Sequence, residues 1–299
     1  MSIIKNLATE KRNENTKNID TLSTHEMVAF INKENRAVIQ AVRSQLRPIS
    51  EAVDTIYTAI SNGGRLIYMG AGTSGRLGVL DASEWFPTYG VGDESVVGII
   101  AGGDYALRNP IEGAEDFEES GREDLIKLNL TNKDVVCALA SSGRTPYCIG
   151  GLKYANELGC KTISIANVEN SKIGQYADHV IEAVTGPEVV TGSTRMKAGS
   201  AQKMILNIIS TSTMIKYGKV YENLMVDVNP SNEKLVERAY SIISDATGVD
   251  YDRSKELLGA SNNNVKAAIV MEKMNCDLDK ALTLIDQYKG KLGDIFDKE

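Results

Sequence analysis

The chain has 299 residues, 42% hydrophobic and 24% charged, with a formal net charge of −7 at pH 7. That length suits one large α/β domain, or an ordinary domain with a small appendage, and the apolar content excludes a disordered chain. The acidic balance argues against general nucleic-acid binding, which needs basic surface, but leaves room for a small anion held by a local loop of backbone N–H groups.

Taken in chain order, the first twenty residues are polar and Asn-rich and carry no secretion signal, so 1–20 is expected to be an arm. Apolar residues then recur at helical spacing between Glu26 and Ile60. Pro48 is expected to separate two helices there, and Asn62-Gly63-Gly64 to end the second. Five short apolar runs follow, at 66–69, 96–100, 135–140, 162–166 and 179–184. The first four each lead into a turn-rich loop and then a helical or irregular stretch. This alternation predicts an α/β fold with a doubly wound, parallel, five-stranded sheet flanked by helices. A helix over 197–217 is apolar around much of its circumference, which suits a core position or a subunit interface. From about Ala246 three amphipathic segments, near 251–258, 264–274 and 278–288, predict a small C-terminal three-helix module. The expected organisation is thus an arm (1–20), a main domain (21–245) and a helical module (246–299).

The chemistry-bearing residues narrow the choices. Four cysteines lack metal-ligand spacing, and His25 and His179 are the only histidines. A zinc site or a Ser–His–Asp triad is therefore poorly supported, no metal or cofactor is expected, and carboxylates, hydroxyls, Lys and Arg remain. No apolar run reaches membrane-spanning length, so a cytoplasmic protein without a membrane partner is expected.

Two loops match each other. GTSGR (72–76) and SSGRTP (141–146) each place Ser-Gly-Arg after a buried strand and before a helix. Glycine lets a backbone turn sharply and approach a ligand, while Ser/Thr hydroxyls and helix N-terminal N–H groups suit phosphate oxygens. The bland alternative is a pair of tight turns feeding helices. Neither G-x-G-x-x-G nor G-x-x-x-x-G-K-[ST] occurs, so dinucleotide and P-loop readings fail. A third segment, GPEVVTGSTRMKAG (186–199), sets Ser193, Thr194 and Lys197 at the start of the long apolar helix, where a capped helix start is the plain alternative.

These strings, with TEKRNENTKNID (9–20), AGTSGRLGVLDASE (71–84), EGAED (112–116) and NLMVDV (223–228), resemble the N-acetylmuramic acid 6-phosphate etherase family of sugar-isomerase (SIS) domain proteins over essentially the whole chain. The resemblance implies a SIS-type fold and a cytoplasmic, metal-free homodimer. Its activity would be cleavage of the lactyl ether of N-acetylmuramic acid 6-phosphate to N-acetylglucosamine 6-phosphate and D-lactate, in recovery of cell-wall sugars. The family's two acidic catalytic positions fall on Glu84 and Glu115. Loop position and resemblance together assign Thr73, Ser74, Ser141, Ser142 and Thr145 to the phosphate and sugar hydroxyls, with Ser193, Thr194 and Lys197 completing the pocket. Arg76 and Arg144 are open between a ligand and a structural role. One departure is Trp85-Phe86-Pro87 after Glu84, where the family often has a small residue and two prolines.

The chemistry suits such a chain. In the open-chain sugar the C2 proton lies next to an aldehyde, so one base and one acid suffice to expel lactate from C3, and water then adds across the double bond. Glu84 is expected to protonate the departing lactate and Glu115 to act at C2 or on water. The competing expectations are a SIS-type sugar-phosphate isomerase, or a non-catalytic sugar-phosphate sensor that would have no use for the two glutamates. The arm is expected to fold over the pocket of its own copy or a neighbour.

Overall fold

The computed structural model describes residues 9–228, 230 and 232–298, so the first eight residues of the expected arm lie outside the description. α1 (Thr24–Glu34) begins at a capping box, in which Ser23 Oγ accepts from the Glu26 N–H and the Glu26 carboxylate accepts from the Ser23 N–H. α2 (Arg36–Arg43) and α3 (Leu46–Ser61) follow. The periodic stretch therefore makes three helices rather than two. The break before α3 falls at Ser44-Gln45, and Pro48 sits in the first turn of α3, where its missing N–H has no carbonyl to serve.

β1 (Leu66–Gly70), β2 (Val96–Ile100), β3 (Val135–Leu139), β4 (Lys161–Ala166) and β5 (His179–Glu182) form one parallel sheet in the order β2-β1-β3-β4-β5. Leu66 aligns with Val96 on one side and Val135 on the other. β1 and β3 are buried at every residue, which is why they read as unbroken apolar runs rather than alternating ones. Strand order reverses at β1, since β2 lies on one side of it and β3 on the other. The loops after β1 and β3 therefore leave for opposite faces and open a crevice between them.

The helices confirm that divergence. α4 (Gly72–Ser83) follows β1; a Cβ at its Gly78 would meet the Tyr68 side chain at 3.0 Å. α5 (Trp85–Tyr89), α6 (Tyr105–Arg108) and α7 (Glu118–Lys127) come next, then α8 (Pro146–Leu158), whose Gly151 lies against Met69. Tyr68 and Met69 are neighbours in a strand and point to opposite faces, so α4 and α8 cover opposite faces. α7 and α8 approach at their backbones: a Cβ at Gly150 would land on the Glu118 carbonyl oxygen, and one at Gly121 on that of Tyr147. The core between them holds Met69, Leu125, Tyr147, Leu152 and Ile173.

α9 (Lys197–Lys216) is the long apolar helix expected at 197–217. The chain divides into two compact units: the described residues up to Glu84 with Asp93–Ser210, and Trp85–Gly92 with those from Thr211 on. The second unit is larger than the expected 246–299 module. It includes the hairpin of β6 (Val220–Tyr221) and β7 (Leu224–Met225), α10 (Glu233–Thr247), α11 (Tyr251–Ala260), α12 (Val265–Met274) and α13 (Leu278–Gln287). A further helix, α14 (Leu292–Lys298), follows the three that periodicity predicts. Asn232, Asp250, Asn264 and Asp277 cap α10 to α13 through their side chains. Val226, Ile243, Leu258, Ile269, Leu284 and Ile295 form this unit's core.

Candidate active site

The site begins at the crevice between β1 and β3. α4 starts at Ala71, which has no side chain to cap its first N–H groups, and Gly72 takes a φ of +52°, a left-handed turn that favours glycine. Thr73 and Ser74 occupy the first turn. After β3, Gly143 turns at φ +66°, and a Cβ there would clash with Ser171 at 2.5 Å. Thr145 is the N-cap of α8 without a side-chain cap bond.

The two loops meet through α9. Ser74 Oγ donates to Gln202 Oε1 at 2.9 Å, and Gln202 Nε2 donates to Ser141 Oγ at 3.2 Å. The two serine hydroxyl oxygens lie 3.5 Å apart. Thr73 packs beside Gly199, and Ser210 Oγ donates to Asp81 at 3.1 Å. α9 thus runs parallel to α4 from Thr73 to Asp81. Gln202 is fully buried and was not singled out in the sequence. A polar amide within a largely apolar helix was the signal available.

The third segment comes to the same end of α4. The Glu188 carboxylate accepts from the Lys197 and Ala198 N–H groups at 3.0 and 2.9 Å, capping α9. Ser193 and Thr194 lie on the turn between, and the Thr194 carbonyl accepts from the Gly199 N–H. Lys197 is placed differently from expectation. Its side chain is 3% exposed and its Nζ donates to Glu34 on α1 at 2.9 Å, so its charge is taken up by an internal pair. Asn13 Nδ2 donates to the same Glu34 oxygen at 2.7 Å, and Thr16 Oγ1 donates to the Val189 carbonyl. Although burial works against it, the bonds from Lys197 and Asn13 hold the Glu34 carboxyl below its ordinary pKa. The described part of the arm therefore docks on its own chain, against the 186–199 segment.

Arg76 is structural: its Nε and Nη2 donate to the carbonyls of Leu107 and Ala106 at 2.9 and 2.7 Å. It also walls a cavity of about 190 Å³ with Gly72, Ala101, Ile111 and Glu115. The Glu115 carbonyl accepts from the Tyr147 N–H at 3.0 Å, which ties the glutamate to the start of α8. Its side chain reaches solvent, yet partial desolvation, followed by the charge of Asp116, raises its carboxyl above the ordinary pKa.

Glu84 is elsewhere. It is the exposed C-cap residue of α4, twelve residues after Gly72, or about 18 Å along the helix axis. Within one chain the structure brings Thr73, Ser74, Ser141 and Glu115 to one crevice and leaves Glu84 at the far end of α4. Among the described residues no group of three or more His, Cys, Asp or Glu could hold a metal ion, and no helix is long and apolar enough to cross a membrane.

Comparison with known proteins agrees with this geometry. Residues 48–156 match the glucokinase regulatory protein N-terminal SIS domain, and residues 113–212 match the SIS domain. A phosphoheptose isomerase from Francisella tularensis shares the fold, with a TM-score of 0.51 at 15% identity over 64% of this chain and 98% of its own. Two curated relatives are named N-acetylmuramic acid 6-phosphate etherase. The one from Lactobacillus gasseri is 54% identical over 99% of both chains, and the one from Lactobacillus acidophilus 54% identical over 98% of both. The chain belongs to the N-acetylmuramic acid 6-phosphate etherase family.

Proposed function

We propose that the chain is a carbon–oxygen lyase that cleaves the lactyl ether of N-acetylmuramic acid 6-phosphate with water, giving N-acetylglucosamine 6-phosphate and D-lactate in the recycling of cell-wall sugars. It works as a cytoplasmic homodimer. The hydroxyls of Thr73, Ser74, Ser141, Ser142 and Thr145 and the open N–H groups of α4 take the phosphate and sugar oxygens, with Ser193 and Thr194 closing the wall. Lys197 serves by holding the start of α9 on Glu34.

Ring opening exposes the C1 aldehyde, which acidifies the C2 proton. As that proton leaves to a base, its electron pair forms the C2=C3 bond, and the C3–O pair departs with lactate, whose oxygen takes a proton from Glu84. Glu115 is the partner acid/base at C2 or on the water. Water then adds its oxygen to C3, and a proton returns to C2. The two carboxyls divide the acid and base work of both half-reactions between them.

The observation that carries the reading is Glu115: a carboxyl held above its ordinary pKa, on the wall of a cavity that starts at the first serine loop. Incubation with N-acetylmuramic acid 6-phosphate in heavy-oxygen water tests it. D-lactate release with the label in the sugar product is expected. Binding of the sugar phosphate without lactate release would replace the reading by an isomerase or a sensor.

A further inference from the structure

Lys197 is the first residue of α9, at the helix pole that repels a cation, and its side chain is 3% exposed. Neither circumstance favours a lysine. A buried ion pair is also weak evidence of a stabilising role, because apolar side chains of similar size often serve stability as well or better. The contacts around Lys197 and Glu34 point to a geometric role instead.

One oxygen of Glu34, Oε2, accepts from Lys197 Nζ at 2.9 Å and from Asn13 Nδ2 at 2.7 Å. Asn13 Nδ2 also donates to the Pro187 carbonyl at 3.2 Å. Thr16 Oγ1 donates to the Val189 carbonyl at 2.9 Å, and a Glu10 carboxylate oxygen lies 3.4 Å from where a Cβ of Gly192 would stand. Among the described residues of the arm the buried ones are Thr9, Asn13 and Thr16, all polar. Docking through directional hydrogen bonds rather than apolar area adds little net stability, yet it fixes position closely.

The 187–196 segment held in this way carries Ser193 and Thr194 and belongs to no strand or helix. Its internal bonds are local, from the Ser193 N–H to the Val190 carbonyl and from the Thr194 N–H to the Gly192 carbonyl. It borders the cradle: a Cβ at Gly199 would lie 3.4 Å from Thr73 Cγ2 and 3.5 Å from the Thr194 carbonyl oxygen. We infer that Glu34 is a positioning residue of the sugar-phosphate site: by holding Asn13 of the arm and Lys197 of α9 on one oxygen, it sets the 187–196 turn, with Ser193 and Thr194, against the cradle. The arm is thereby a working part of the site, and Glu34 acts through it.

The crevice must be a sugar-phosphate site for this to hold, as the proposed function has it, and two measurements on the full chain separate the outcomes. They are steady-state kinetics with N-acetylmuramic acid 6-phosphate and calorimetric binding of N-acetylglucosamine 6-phosphate. Asn13→Ala is expected to raise KM and Kd by about 10-fold, the worth of one hydrogen bond to a charged group, with kcat within about two-fold and Tm nearly unchanged. Removing Glu34 alone would strand the buried Lys197 ammonium, so the two are changed together, Glu34→Leu with Lys197→Met. That apolar pair should keep the Tm of the wild type, whereas KM and Kd should rise as in Asn13→Ala, because nothing is left to accept from Asn13. Glu14→Ala breaks only the exposed pair with Lys17 on the same arm and should change none of these quantities. Wild-type KM and Kd in Asn13→Ala, or in the apolar pair, would make the clasp purely structural and overturn the inference. A wild-type chain that binds the sugar phosphate but releases no lactate removes the etherase reading alone, and Kd then decides on the clasp. Failure of the wild type to bind either sugar phosphate overturns both.

Discussion

Ser74 and Ser141 are 67 residues apart in sequence, yet their hydroxyl oxygens lie 3.5 Å apart, both bonded to the one amide of Gln202. Gln202 fixes the spacing of two loops that come from opposite faces of the sheet. Its replacement by alanine frees both hydroxyls and leaves a buried void. A fall in kcat/KM of about 10–100-fold is expected, carried mainly by KM, from roughly 1–3 kcal/mol of lost hydrogen bonding. Gln202→Glu should be worse, since it turns a carboxylate toward the proposed phosphate site. An unchanged KM in either variant would contradict the bridging role.

Glu115 is held above its ordinary pKa first by desolvation and then by Asp116. Asp116→Asn removes the second cause and leaves the first. The ionised form of Glu115 then persists to lower pH, so the acid limb of the kcat/KM profile should move down the pH axis without reaching the position of a free carboxylate. A limb that stays in place would show that Glu115 does not set it.

Asp134, with a side chain 3% exposed, accepts from the Arg65 guanidinium at 2.9 Å, from the Arg65 N–H at 2.8 Å and from the Thr131 N–H at 2.9 Å. Burial alone would raise its pKa, but those bonds bring it below the ordinary value. A carboxyl lowered on folding contributes stability that is full above its unfolded pKa and is lost as pH falls through the folded one. Asp134→Ala should cost about 3–5 kcal/mol by stranding the guanidinium and two N–H groups. The difference in Tm between variant and wild type should shrink below about pH 5. A difference that is constant with pH would place the loss in packing alone.

Gly150 faces the Glu118 carbonyl with no room for a Cβ, and Glu118 opens the helix that follows the Glu115 segment. Gly150→Ala should push α7 off α8 at a cost of about 3 kcal/mol or more. A soluble variant with native Tm would mean that the two helices can separate freely. Activity should fall further than stability, because Glu115 is tied to α8 through the Tyr147 N–H.

Much of this was readable from residues alone. The five strands and both serine loops follow from buried apolar runs that end in glycine turns, a pattern local enough to see in one dimension. Pro48 misled because a proline is compatible with the first turn of a helix as well as with a break. Gln202, Glu188 and Glu34 were not readable: each acquires its role only when distant segments pack, and a single buried polar residue has no periodic signature. The position of Glu84 was hidden for another reason. The motif that places it thirteen residues after Ala71 says nothing about direction, and a helix that runs back along its strand carries its last residue away from that strand's carboxyl end.

The Glu188 carboxylate across the first N–H groups of α9 answers the positive pole of that helix from within the chain, whereas α4 starts at Ala71 with no side-chain cap bond among the described residues. In the proposed function, the counter-charge for α4 is the substrate's own phosphate. A sugar phosphomonoester carries two negative charges above its second pKa of about 6 and only one below it. On that proposal, acidification should loosen the grip on the substrate through a titration that belongs to the ligand, and a substrate analogue with a shifted phosphonate pKa should move that transition while every side chain of the protein stays as it is.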